Sequence, residues 1–221
     1  YWNYYCCYIN SNNFLVVLFS NTYNQLARNS KGLYKEKGSK FIAYAINVKS
    51  EEQVVNEIKN IKKIEKNARH FCYAYLLNPD KSIEKVNDDG EPNNSAGKPI
   101  LGQIKSKDLT NCLIVVVRYF GGVKLGIPGL IKAYKSAALD AIINNHIECI
   151  DITEVYKLKF TYEELNSVMK IIKLCNAKIL KHKNDTLSEI ECSITLKNSK
   201  LFYDKISQNH KIDIQYLKTK K

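Results

Sequence analysis

Charge is missing from the start of the chain. No Asp, Glu, Lys or Arg precedes Arg28, and aromatics crowd the gap at Tyr1, Trp2, Tyr4, Tyr5, Tyr8, Phe14, Phe19 and Tyr23. A signal peptide opens with a basic segment, which this stretch lacks. Residues 1–27 are expected to be a poorly ordered tail or a gene-model artefact. The alternative is the end of a targeting leader whose apolar part is Phe14 to Phe19; the chain opens on Tyr rather than Met, which leaves room for an upstream piece.

Long apolar runs are also missing. Tyrosine aside, the longest are Phe14–Phe19 and Cys112–Val117, six residues each, where a spanning helix needs roughly 20. A transmembrane segment is excluded. The seven cysteines are odd in number and irregularly spaced, with no CxxC pair and no grouping with the four histidines. That pattern excludes a zinc-finger arrangement and a disulfide framework, and predicts a reduced, intracellular protein. Glycine and proline are absent from the last 92 residues, because all nine Gly lie between Gly32 and Gly129 and all four Pro between Pro79 and Pro128. A region rich in turn breakers followed by one with none predicts two units. The boundary is placed near Ile152 to Glu154, giving an extension at 1–27, a first domain at 28–153 and a second at 154–221.

What the chain does have is lysine. The formal charge is +12, carried by 31 Lys and only 3 Arg beside 23 Asn. Cations bind phosphates by releasing counterions, but a Lys- and Asn-rich composition also follows from A/T-rich coding. Charge alone leaves two readings open: a polyanion-binding protein, or a soluble one with a lysine-rich surface.

Periodicity supplies the elements. Lys40 to Val48 reads as a strand, with Phe41, Ala43 and Ala45 on one face and Ile42, Tyr44 and Ile46 on the other. Ser50 with Gln53 forms a capping box for a helix over about 51–66. Phe71 to Leu77 is a second strand, Pro79 to Pro99 a long polar loop, and Cys112 to Phe120 a strand apolar without alternation, as one buried on both faces should be. Leu130, Ala133, Tyr134, Ala137, Ala138, Ala141 and Ile142 mark a helix whose alanines allow close packing on a sheet. The last unit reads strand 155–161, helix 163–175, strand 177–183, strand 186–197, helix 199–208 and strand 211–217. This is the βαββαβ, ferredoxin-like order of a binding or interaction module.

Three patches carry possible chemistry. Arg118-Tyr119-Phe120-Gly121-Gly122-Val123-Lys124-Leu125-Gly126 ends a buried strand and leads into a helix. It places backbone N–H groups and two cations where a phosphate can sit, unless the glycines only make a tight turn. It is neither a Walker loop nor GxGxxG. Asp88, Asp89 and Glu91 lie within four residues and can hold magnesium with help from substrate oxygens, or form a solvated acidic turn. His70 beside Arg69 is a general base, a phosphate contact or simply a hydrogen-bonded strand residue. Ser95, Gly97 and Lys98 follow in the loop, with no evident base partner for Ser95.

These patches, in this order, resemble the IMPACT/YigZ family from about Gly38 to Ile143, most specifically in NDDGEP, SAGKPIL and VVVRYFGGVKLG. The resemblance implies an α+β chain: an N-terminal domain with the βαβ fold of elongation factor G domain IV, which a small-subunit ribosomal protein domain shares. A ferredoxin-like C-terminal domain, similar to domain V of that factor, would follow as in the bacterial-type two-domain members. Asn94-Ser95 stands where the family commonly has Gly-Thr. Leu125-Gly126-Ile127-Pro128-Gly129-Leu130 stands in place of LGxGGL, and Pro128 removes one N–H donor from the anion nest. No room is expected for the RWD domain of the eukaryotic regulators.

The leading expectation is a cytoplasmic, non-enzymatic, translation-associated protein that binds RNA, the ribosome or a translation-regulator protein. Arg69, His70, Arg118 and Lys124 would contact phosphate, while Gly121, Gly122 and Gly126 allow close backbone approach. An organellar address stays open at this point. The alternatives are a magnesium-dependent enzyme acting on a phosphorylated small molecule or nucleotide, with Asp88, Asp89 and Glu91 as ligands, and a protein-interaction adaptor.

Overall fold

A computed structural model describes residues 21–220. The chain runs β1 (Thr22–Leu26), β2 (Ser30–Glu36), β3 (Ser39–Asn47), α1 (Glu51–Ile64), β4 (His70–Leu77), β5 (Ile83–Asn87), α2 (Gly97–Ser106), β6 (Cys112–Tyr119), α3 (Gly126–Ile143) and β7 (Ile147–Asp151). It continues through β8 (Thr153–Phe160), a 3-10 turn, α4 (Leu165–Leu174), β9 (Lys178–Asn184), β10 (Ser188–Thr195), α5 (Leu196–Ser207) and β11 (Asp213–Lys220). Among the described residues no helix is long and apolar enough to cross a membrane.

The first sheet has the order β2-β3-β6-β4-β5, antiparallel throughout. The strand β6 at its centre explains the unbroken apolar run. Its Cys112, Ile114 and Val116 pack with α2 and α3, whereas Leu113, Val115 and Val117 pack on the α1 side. On β3, Phe41, Ala43 and Ala45 share the first of these cores and Tyr44 and Ile46 the second, matching the expected division of faces. The helix α1 is capped by Ser50, which accepts from Gln53 N, while the Gln53 side chain accepts from Lys49 N at 2.7 Å.

The predicted close packing of the alanine-rich helix has a defined partner. Gly32 of β2 lies under α3, where a Cβ on it would sit 2.3 Å from Ala141 N and 2.6 Å from Ala137 O. Only a residue without a side chain lets the edge strand and the helix backbone approach this far.

Three expectations are corrected. The polar loop 79–99 contains the strand β5, and α2 begins inside it at Gly97. The edge strand β2 was not expected, because a half-exposed edge carries no period-two apolar signal. Residues 1–20 of the uncharged extension lie outside the described residues, but its end, Thr22–Leu26, is the ordered strand β1. It pairs antiparallel with β7, and Tyr23 and Leu26 are buried. Neutrality reflects burial at that end, since Thr110 N also donates to Asn24 O and Asn47 Nδ2 to Leu26 O.

The second sheet has the order β11-β8-β10-β9, the antiparallel ferredoxin-like arrangement predicted from the βαββαβ series. Tyr156, Leu158, Phe160, Ile190, Cys192 and Ile194 face α4 and α5, where Val168, Ile172, Phe202 and Ile206 complete the core.

Candidate functional site

The three patches meet at one end of the first sheet, because β4 begins there and β6 ends there. His70 pairs with Arg118, and Lys40 of β3 pairs with Tyr119. The β2–β3 hairpin comes to the same place. Gly38, at φ +76°, lies so close to Gly121 that a Cβ on Gly121 would stand 1.9 Å from the Gly38 carbonyl carbon. Gly121 N donates to Ser39 Oγ at 3.1 Å. The glycine pair after β6 is therefore first a packing requirement, with Gly122 in the left-handed region at φ +88° completing the turn.

The acidic loop folds against this end through its carboxylates. Asp88 Oδ1 accepts from Ala96 N at 3.0 Å and Gly97 N at 2.8 Å, while its Oδ2 accepts from Asn94 N at 2.9 Å. The residue at the N-cap of α2 is Ala96, which has no capping side chain. Asp88, eight residues upstream of it, supplies the missing acceptor and a negative charge at the helix start. Gly97 has to be glycine because a Cβ there would meet Asn87 N at 2.9 Å. Asp89 Oδ2 accepts from Phe71 N at 2.6 Å, and its carbonyl oxygen accepts from His70 Nδ1 at 2.9 Å, which fixes the tautomer with the proton on Nδ1. Asp89 itself takes a positive φ of 39° and Gly90 one of 85°, so that the turn lies against the His70 ring.

Glu91 is the innermost of the three. Its Oε1 accepts from Arg118 Nη1 at 2.6 Å and from the Tyr134 hydroxyl at 2.8 Å. The Arg118 and Glu91 side chains are only 8% and 4% exposed. The guanidinium lies 5.5 Å from the Phe41 ring centroid and 5.6 Å from that of Phe120, a stacked position that suits a planar cation. Cys72 Sγ extends the chain of contacts, 3.3 Å from the Tyr134 hydroxyl and 3.0 Å from the Asp88 carbonyl oxygen. Burial pushes the Tyr134 phenol up, and it raises the Cys72 thiol to about 12 against the lowering effect of the Tyr134 contact. Both groups stay protonated and serve as donors.

This geometry corrects two expectations. Arg118 is not open to a phosphate: buried against Glu91, it ties the acidic loop to the sheet. The carboxylates of Asp88, Asp89 and Glu91 are turned to different protein donors instead of one shared point. Among the described residues no three His, Cys, Asp or Glu side chains gather to hold a metal ion. The residues present do not form a ready site for magnesium. Ser95 is buried and gives its hydroxyl proton to Pro92 O at 2.6 Å, with no base beside it.

The remaining candidates are on the surface. Arg69, Lys98, Gly121, Gly122, Lys124 and Gly126 are exposed, and His70 is half-buried. Phe120, between Arg118 and the Gly121–Gly122 turn, has 57% of its surface exposed. Sequence reasoning missed Ser39, Tyr134, Cys72 and the outward stance of Phe120. The one local signal was Gly38-Ser39 ahead of a strand, whose meaning depends on Gly121 more than eighty residues away.

Thiol chemistry offers a simple check of this arrangement. Cys72, Cys112, Cys175 and Cys192 are buried while Cys149 is exposed, and burial raises Cys112 and Cys192 to about 12 as well. Among these five, iodoacetamide at pH 8 is expected to label Cys149 first and the other four only in denaturant. Peptide mapping that finds Cys72 labelled at the rate of Cys149 would contradict the buried network.

Residues 37–142 match the Impact N-terminal domain family, which covers the whole assembly from the Gly38 hairpin to α3. The chain is 42% identical over 113 residues to the IMPACT family member YvyE of Bacillus subtilis, a match spanning about half of each protein (51% and 51%). It is 32% identical over 146 residues to the IMPACT family member YigZ of Escherichia coli, covering 65% of this chain and 72% of that protein. A crystal structure described as that of a hypothetical protein shares the fold with a TM-score of 0.66 at 23% identity, over 90% of this chain and 98% of the other. With the loop, the glycine turn and the fold all accounted for by these matches, the chain belongs to the IMPACT family.

Proposed function

We propose that the protein is a non-enzymatic, translation-associated factor of the cytoplasm, and that its first domain binds RNA, on its own or on the ribosome. The observation that carries this reading is the exposed Phe120. One face of its ring lies over the buried guanidinium of Arg118 at 5.6 Å, and the exposed cations Arg69, just ahead of β4, and Lys124, in the turn after β6, belong to the segments that meet at this end of the sheet. An aromatic platform among cations is the surface that single-stranded nucleic acid uses, since every base can stack and every phosphate is attracted. The Gly121–Gly122 turn adds backbone that a strand can approach closely. Arg118, Glu91 and Tyr134 make no contact in this scheme and act by fixing the position of Phe120. The link to translation comes from the family resemblance, which also leaves a translation-regulator protein as the competing partner.

Labelled single-stranded RNA and purified ribosomes, titrated with the full chain across roughly 50 to 200 mM salt, test the reading. Phe120→Ala is expected to weaken binding about 5- to 150-fold, the range of one lost base stack of about 1–3 kcal/mol. Lys124→Ala should lower the magnitude of the salt slope by about 0.7. No binding to either target at the lowest salt, or binding that both variants leave unchanged, would refute it.

A further inference from the structure

Both helices of the second domain lie on one face of its sheet. Its helices pack on Tyr156, Leu158 and Phe160 and on the residues aligned with them. The register then places the alternate residues of all four strands together on the opposite face. One row across it is Lys183, Glu189, Lys159 and Asp213, and the next is Lys181, Glu191, Lys157 and Gln215. Beyond these, Lys178 and Lys218 flank Ser193 and Val155, and Lys220 lies at the end of β11.

The charges on this face do not balance. Glu189 is already paired with Lys157 at 2.7 Å and Lys159 at 3.3 Å, and Glu191 with Lys181 at 3.3 Å. Lys178, Lys183, Lys218 and Lys220 are exposed and, among the described residues, in no ion pair. Three carboxylates, Glu189, Glu191 and Asp213, stand against seven lysines on this face, and the outer lysines carry the surplus. Strands about 4.8 Å apart and side chains about 6.8 Å apart along each strand make this a closely spaced array in which positive charge predominates. It has little to offer a protein partner. Among the paired positions of the face only Val155 is apolar, and it is 2% exposed; Leu180 and Leu217 are exposed at the bulges of the two edge strands, away from the centre, and protein interfaces draw most of their energy from a central apolar or aromatic anchor.

We propose that this lysine-rich sheet face, opposite the helices, is a second polyanion-binding surface whose occupant is single-stranded RNA, held by its phosphates. The inference rests on the RNA-binding reading of the first domain and adds a second contact to it. Two weak contacts on one chain reinforce each other, since binding at the first raises the effective concentration at the second. The base-stacking contact then belongs to the first domain, and the second contributes charge.

The test uses the full chain and a fluorescent oligouridine long enough to reach both domains. In the triple variant Lys178→Gln, Lys183→Gln, Lys218→Gln, the magnitude of the salt slope is expected to fall by about 2, at about 0.7 per lost phosphate contact. Affinity at low salt is expected to fall tenfold or more. The variant Lys59→Gln, Lys63→Gln, Lys66→Gln removes the same charge from the exposed surface in and just after α1 and should change the slope by less than half as much. Equal effects in the two triple variants would show a diffuse lysine attraction and overturn the proposal. So would preferential binding of polyglutamate over RNA of the same charge, which would indicate an acidic protein partner. If the wild-type chain binds RNA and only Phe120→Ala reduces it, the second surface is refuted and the first stands. If the wild-type chain binds no RNA, both fall.

Discussion

Glu91→Ala is expected to destabilise the first domain by about 3–5 kcal/mol, the usual consequence of leaving a buried cation without its partner. Arg118 is 7% exposed and lies between two aromatic rings, so that its charge cannot reach water without moving Phe120. The Tyr134 hydroxyl loses its carboxylate acceptor in the same variant. At about 2–4 °C per kcal/mol for a chain of this size, the melting transition of that domain should fall by roughly 6–20 °C. The double variant Glu91→Leu, Arg118→Met removes both charges and should be more stable than Glu91→Ala, since neither partner is left alone. Thermal unfolding by circular dichroism measures all of this. A Glu91→Ala protein that melts within about 2 °C of the parent would show that the pair is not the tie between the acidic loop and the sheet that its distances indicate.

The second large effect concerns Gly121. A methyl group there would stand 1.9 Å from the Gly38 carbonyl carbon and 2.2 Å from Ser39 N. Both are backbone atoms, so no rotamer change relieves the overlap. Gly121→Ala is expected to cost about 3 kcal/mol or more, at the upper end of overpacking effects. It should also weaken RNA binding by displacing Phe120, the residue immediately before it. Gly102→Ala provides the opposite sign. Gly102 lies in α2 with no atom within 4 Å of a Cβ placed on it, so the alanine should stabilise by up to about 1 kcal/mol. Urea midpoints of the two variants give the comparison, and a Gly121→Ala protein as stable as the parent would mean the hairpin can move away from the turn.

Much of the fold was legible because it rests on local periodicity. The alternation along Lys40 to Val48, the Ser50 capping pair, the unbroken run at Cys112–Val117 and the alanine stripe of α3 each prescribe an element and its buried face within about fifteen residues. The second domain was clearer still, because four strands and two helices in βαββαβ order leave few ways to pair. The elements that escaped notice were β1, β2, β5 and β7. All are edge or two-stranded pieces: β1 and β7 pair with each other across more than a hundred residues, while β2 and β5 are the outer strands of local hairpins whose exposed positions blur the alternation.

The candidate site divides in the same way. Its glycines, cations and carboxylates were identifiable as a group from their spacing, and the structure does bring them to one end of one sheet. Their individual roles were not identifiable. An arginine next to an aromatic and two glycines has the same local appearance whether it faces solvent or a carboxylate. Arg118 and Glu91 are 27 residues apart and Glu91 and Tyr134 are 43 apart. Only the closing of the acidic loop over β6 and α3 decides that the arginine is buried and that Asp88 caps a helix. The same closure leaves Phe120 exposed. Side-chain periodicity is a property of neighbours in sequence, and it specifies which face of an element is apolar. Burial and charge pairing depend on which elements lie over one another, which is decided by the packing of the whole domain.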